Sequence, residues 1–351
     1  MIASSFIHWQ ELVPLADDAL AHHDIAAVNL LTALELPGMA GIENERCRAV
    51  VDSWAQHVGN ETDRSTAQFQ REPRQFENSW AYFRVLVLAT VLQQDCGVRY
   101  DPDLVDRADF FDNPENLFVH GVLAGKGGTC SSLPPLYVAV GRRLGYPLKL
   151  VQTNSHLFAR WDDAETGERF NIECTSHGLN CHSDDYYRNW PRSTTATEIE
   201  HNGWLVSLTP REELGSFLAN RGHCWLANER FREACDAYAH AHLLAPRQAG
   251  HAYCLYAALD QWDKRLEQAA PPGFPRLTVH LPRRRFPSVP RALEAAMVTL
   301  EVMEDLLENP VHCRDWWEPL RQSPNDRPAH MPAHITVHDP AAVRTVPTHL
   351  N

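Results

Sequence analysis

The run Gly127-Gly128-Thr129-Cys130 and the two prolines just after it restrict this chain more than any other stretch. Pro134 and Pro135 are compatible with a helix only in its first turn, where the backbone N–H groups have no intrahelical acceptor to lose. Leu133, Leu136, Tyr137, Val140 and Leu144 then recur at helical intervals until Gly145 and Pro147 end the run. A helix must therefore start near Cys130, with glycines leading into it.

Three strand-like runs follow, Lys149 to Thr153, His156 to Trp161 and Arg169 to Thr175, the last two separated by the turn-forming Asp162, Asp163 and Gly167. Pairing Ala159 with Phe170 and Leu157 with Ile172 gathers the apolar side chains on one face. The same register sets His156 directly opposite Glu173 on the other face.

The rest of the chain reads as mainly helical. Leu20, Ile25, Val28, Leu31 and Leu34 predict a helix over Leu12 to Leu36, stopped by Pro37 and Gly38. A second is predicted from Ser79 to Gln94, with Asn78 or Ser79 as its cap and Gly97 just past its end. Leu218, Gly222, Trp225, Ala234, Tyr238, Ala241 and Pro246 approximate one tetratricopeptide-type helix pair. Further helices are expected over Ala249 to Gln268 and Arg291 to Glu308, on either side of a proline-rich connector from Pro271 to Pro290. The expected organisation is a helical region (1–77), a core (78–208), a tetratricopeptide-like region (209–309) and a Pro/His-rich tail (310–351).

Composition removes several function classes. A net charge of −13 disfavours a general nucleic-acid binder, and the compact basic run Arg283, Arg284 and Arg285 reads as a solvated loop between prolines. No export signal and no run of 18 apolar residues is legible, so a cytoplasmic location is expected. Nine scattered cysteines with no CxxC pair read as reduced thiols.

Among these thiols Cys130 has the setting for reactivity. A helix start favours the thiolate through its partial positive charge, and backbone N–H groups there offer one side of an oxyanion hole. His156 is the expected base, and Glu173 the carboxylate that accepts the other imidazole N–H and fixes the tautomer.

Taken together, Gly127-Gly128-Thr129-Cys130-Ser131-Ser132-Leu133, Gly145-Tyr146-Pro147, Ser155-His156-Leu157-Phe158 and Phe170-Asn171-Ile172-Glu173 resemble the transglutaminase-like superfamily, over about Ser79 to Pro191. The likeness is to a bacterial branch with a helical N-terminal part and a tetratricopeptide-like tail. It implies an α+β, papain-like core, in which a helix bearing the Cys packs on an antiparallel sheet bearing the His and the acid, and it implies thiol chemistry on amides. Carried over by position, the triad is Cys130, His156 and Glu173. The family's third member is usually Asp, so the extra methylene of Glu173 calls for a different backbone distance. Ser131 replaces the aromatic that follows the Cys in animal transglutaminases, and no calcium loop is visible, so cross-linking is not implied.

Rival readings are weaker. Gly121 to Gly127 fails the phosphate-loop spacing, since Gly127 occupies the Ser/Thr position. Cys174, His177, Cys181 and His182 lack standard zinc spacing, and Pro332 prevents the helix that would align His330, His334 and His338. No cofactor or metal is expected. The alternative from another class is an inactive scaffold that binds a protein partner through 214–268.

Overall fold

The computed structural model describes residues 8–270 and 290–308, together with the strand pair Arg276–Leu277 and Val337–His338. Arg283 to Arg285, His330 and His334, and nearly all of the expected connector and tail, lie outside the described residues.

The chain forms a mixed α+β fold around one small antiparallel sheet. Short helices α1 (Asp17–Ala21) and α2 (Ile25–Ala33) precede the long α3 (Asn44–Arg71) and then α4 (Trp80–Thr90). Next come α5 (Pro102–Val105), α6 (Val119–Leu123) and α7 (Leu133–Arg143), followed by strands β1 (Leu148–Thr153), β2 (His156–Asp162) and β3 (Arg169–Ile172). Helices α8 (Asp184–Asn189), α9 (Ala196–Asn202), α10 (Pro210–Ala227), α11 (Phe231–Leu244), α12 (Ala249–Ala269) and α13 (Pro290–Glu308) complete it.

One side of the sheet, Leu148, Leu150, Ala159, Trp161 and Ile172, joins α7 in the main core, which also takes in residues from Trp9 to Leu244. The other side carries a smaller cluster of Val151, Phe158, Tyr187 and Leu205, with Phe158 and Tyr187 stacked at 3.9 Å. A second core lies among α10 to α13. There Gly222 lets two helices meet, because a Cβ at that position would stand 2.6 Å from the ring of Tyr238.

Three expectations need correction. The predicted helix from Leu12 to Leu36 is broken at His22 to Asp24, where the Asp24 carboxylate caps α2 by accepting from Ala27 N at 2.8 Å. A local side-chain acceptor outcompetes helix continuation there. Second, α7 begins at Leu133, so Cys130 occupies the turn before it. Third, the hairpin register is offset by two residues: Ala159 pairs with Ile172 and Trp161 with Phe170.

The turn explains that offset. Asp163 closes the 163–168 loop on itself, accepting from Glu165 N at 2.9 Å and from Thr166 Oγ1 at 2.8 Å, so Asp162 faces Arg169. An even offset preserves the faces of both strands. Ala159, Phe170 and Ile172 thus stay on the core side, while His156 and Glu173 stay together on the other. The helix predicted from Ser79 is present, capped by Ser79 Oγ accepting from Tyr82 N, and runs on into a wider turn over Val91–Asp95.

Candidate active site

Cys130 sits in a turn whose backbone donors are almost all committed. Thr129 N donates to Ser132 Oγ at 3.0 Å and Ser131 N to Thr129 Oγ1 at 3.2 Å, while Ser132 N and Leu133 N both donate to Thr129 O. The Cys130 N–H alone in this turn donates to no described residue, which leaves it free for a substrate oxygen. Gly128 is required by packing, since a Cβ there would lie 2.7 Å from Leu133 Cδ2 and 2.8 Å from Val122 Cγ2.

The turn is held in place from both ends. Thr129 Oγ1 donates to Asn116 O at 2.7 Å. At the far end of α7, Arg143 bridges Asp24 and Asp52, each at 2.6 Å, and so ties the helix to α2 and α3.

His156 is the first residue of β2, directly after Ser155, which adopts a left-handed φ of 62°. Its Nε2 donates to Glu173 Oε2 at 2.9 Å. The ring also interacts with the Cys130 thiol, and with Nε2 engaged by Glu173 the free ring nitrogen is Nδ1. Burial alone would lower the imidazole pKa, but its interactions with Cys130 and with Glu173, which accepts the ring N–H, outweigh it and raise it to about 9.

Glu173 is 5 % exposed and accepts four hydrogen bonds. Oε2 takes those from His156 and from Tyr187 OH at 3.0 Å, and Oε1 takes those from Thr175 N at 2.8 Å and Thr175 Oγ1 at 2.6 Å. Burial works to raise its pKa, and the His156 and Thr175 bonds overcome that and hold the carboxyl below its ordinary value. Because of the two-residue offset, Glu173 stands diagonal to His156. Diagonal neighbours are roughly 7–8 Å apart between backbones, against about 5 Å for direct partners. The extra methylene of Glu spans that gap.

The shelf above this pair was not foreseen from the sequence. Trp190 packs edge-on against the His156 ring at 4.7 Å, and Tyr187 lies parallel to it at 6.0 Å. Both come from the α8 segment, which a buried Arg160 anchors. Its guanidinium donates to Asn171 Oδ1 at 2.6 Å, Leu205 O at 3.0 Å and Asp184 Oδ1 at 2.6 Å. Two signals were available in the sequence: Asn171 and Glu173 alternate on one strand face, as do His156 and Arg160.

Burial also acts on the other described thiols. In Cys47, Cys96, Cys174, Cys224, Cys235 and Cys254, burial pushes the thiol pKa up, to about 11 at Cys96 and about 12 at Cys224. These groups stay protonated near neutral pH. Among the described residues, no cluster of three or more His, Cys, Asp or Glu is arranged for a metal. Cys174 turns inward to Ile172 O, and His182 stacks on Tyr186 at 4.0 Å. No described helix is long and apolar enough to cross a membrane.

F-box only protein 21 from Mus musculus is 37% identical over 67 residues, which is 19% of this chain and 10% of that protein. The Homo sapiens protein of the same name is 36% identical over the same length, again 10% of its own. The chain therefore matches about a tenth of these relatives. No solved structure matches it. The sequence profile of the transglutaminase-like superfamily matches residues 45–213, wider than the stretch the motifs span and enclosing all three candidate positions. Residues 45–213 of this chain belong to the transglutaminase-like superfamily.

Proposed function

We propose that the protein carries out thiol-dependent acyl chemistry on amide bonds of a protein or peptide, through Cys130, His156 and Glu173. The observation that carries this reading is one buried imidazole hydrogen-bonded to the Glu173 carboxylate and close enough to Cys130 for the thiol to raise its pKa. Membership of the superfamily supports papain-like thiol chemistry in general, and the arrangement of this site supports the specific roles.

In the proposed reaction the thiol proton rests on His156 as imidazolium and the sulfur attacks the amide carbon. The carbonyl electron pair moves to oxygen, where the unpaired Cys130 N–H receives it. On collapse the C–N bond breaks, the leaving nitrogen takes the proton from His156, and a thioester remains on Cys130. Glu173 keeps the ring in the tautomer and orientation that both transfers need. Water then releases an acid, giving peptide hydrolysis or deamidation, whereas an amine gives transfer.

The test is a panel of glutamine, peptide and isopeptide substrates with the wild type and Cys130→Ala, reading released ammonia and cleaved products. Turnover lost in Cys130→Ala is the expected result. Turnover that survives the substitution excludes Cys130 as the nucleophile.

A further inference from the structure

Tyr186 and Trp190 lie four residues apart on the α8 segment, and each is more than a third exposed, 38% and 37%. Trp190 is the one exposed tryptophan among the described residues. Its ring meets that of Tyr186 at 5.5 Å and that of His156 at 4.7 Å, and His182 stacks on Tyr186 at 4.0 Å. An unbroken run of ring contacts thus leads from the outer face of α8 to the imidazole of the site.

Packing does not account for these two side chains. The segment is already fastened by polar anchors: Asp184 Oδ1 accepts from Arg160 at 2.6 Å and from Asn171 at 2.8 Å, Thr153 Oγ1 donates to Tyr187 O at 3.2 Å, and Thr194 N donates to Arg188 O at 2.8 Å. Of the three aromatic residues on the segment only Tyr187 is buried. Tyr186 and Trp190 are therefore held in place with apolar area left in water, which lowers the ordering cost of seating a ligand on them.

Charge decides which group fits. Every carboxylate that touches the segment already has partners: Glu173 accepts four hydrogen bonds, Asp184 pairs with Arg160, and Asp185 pairs with Arg188 at 2.9 Å. His156 carries a positive charge below about pH 9 and lies against Trp190. A substrate lysine or arginine would be drawn to the rings yet meet that cation with no free carboxylate to offset it. A neutral ring or branched aliphatic side chain meets no such opposition and gains by leaving water. An amide in hydrogen-bond reach of His156 lies about 3 Å from it, and an extended peptide advances about 3.3–3.6 Å per residue, so a side chain resting on Trp190 belongs within about two residues of that amide.

We infer that Tyr186 and Trp190 form the specificity shelf of this site, seating a large uncharged side chain, aromatic or branched aliphatic, that flanks the amide attacked by Cys130. The inference rests on the proposed role of Cys130 and names the substrate class of that same site.

The experiment reads selectivity within each variant of the full chain. The probes are p-nitrophenyl esters of acetyl-Xaa and acetyl-Xaa-Gly, and Xaa-amides as amines competing with water for the acyl-enzyme, with Gly, Lys or Phe as Xaa. Each kcat/KM is taken relative to the uncatalysed reaction of the same probe. At one or more of these positions the wild type is expected to favour Phe over Gly by roughly tenfold or more, the gain from seating a ring on two aromatic side chains, with Lys no better than Gly. Tyr186→Ser and Trp190→Ser should each cut the Phe-to-Gly ratio at least about threefold, whereas Tyr186→Phe should hold it within about twofold because the ring face is kept. Such a ratio does not move with the fraction of chain that folds. No preference for Phe in the wild type, a preference for Lys, or a ratio unchanged in either Ser variant overturns the inference. Nitrophenolate release that is absent in the wild type, or unchanged in Cys130→Ala, would instead overturn the thiol reading itself.

Discussion

Glu173→Asp isolates the consequence of the strand offset. The substitution keeps the charge and shortens the arm by one C–C bond, about 1.5 Å. The backbone at this position cannot follow, because Glu173 N donates to Asn180 O at 2.9 Å and the pair forms an isolated bridge. The shorter carboxylate must therefore release either the Thr175 donors on Oε1 or the His156 and Tyr187 donors on Oε2. Retreat toward its own backbone abandons His156. A hydrogen bond to a charged group is worth about 1.5–3 kcal/mol. At about 1.4 kcal/mol per tenfold, stabilisation of the thiolate–imidazolium pair should fall roughly 10- to 150-fold. The assay is the rate of iodoacetamide alkylation near neutral pH, read by mass spectrometry on the tryptic peptide Gly127 to Arg142, whose one cysteine is Cys130. Alkylation of Glu173→Asp within twofold of wild type would refute the claim that Glu is needed to span the diagonal.

Two other outcomes follow from the same network. His156 is charged below its raised pKa of about 9 and neutral above it, so acyl turnover that needs the imidazolium as proton donor should decline above about pH 9. Its contribution to stability has the same sign, fully present below the unfolded-state value of about 6.5 and lost as pH rises through about 9; a turnover profile still rising past pH 10 would contradict the pairing. Arg160→Leu removes the buried cation that fastens Asn171, Leu205 and Asp184, and should cost about 3–5 kcal/mol in denaturant unfolding while slowing Cys130 alkylation; a loss under 1 kcal/mol would show that α8 is held by its aromatic stacking instead.

The parts of this site fixed by short-range rules could be read from the sequence. Pro134 and Pro135 mark the start of α7 to within a turn, and the alternation of Phe170, Ile172, Leu157 and Ala159 assigns the strand faces. The exact pairing could not be read, because the length of the Asp163 loop is set by side-chain hydrogen bonds within the turn and not by the apolar pattern. Parity protected the functional inference, since a two-residue offset leaves His156 and Glu173 on a common face. Arg160 and the Tyr187–Trp190 shelf depend on contacts between segments some 25 to 45 residues apart, which no local period encodes. The 28-residue α3 was also not singled out, although Val51, Ala55, Val58 and Thr62 are spaced to face the core.

Competitive labelling of all the cysteines at once bears most directly on the central claim. With limiting iodoacetamide near neutral pH, Cys130 should be modified at least about tenfold faster than thiols that burial keeps protonated, such as Cys96 and Cys254, and His156→Ala should erase the difference. Equal labelling of Cys130 and Cys96 in the wild type, or a preference for Cys130 that persists in His156→Ala, would contradict it.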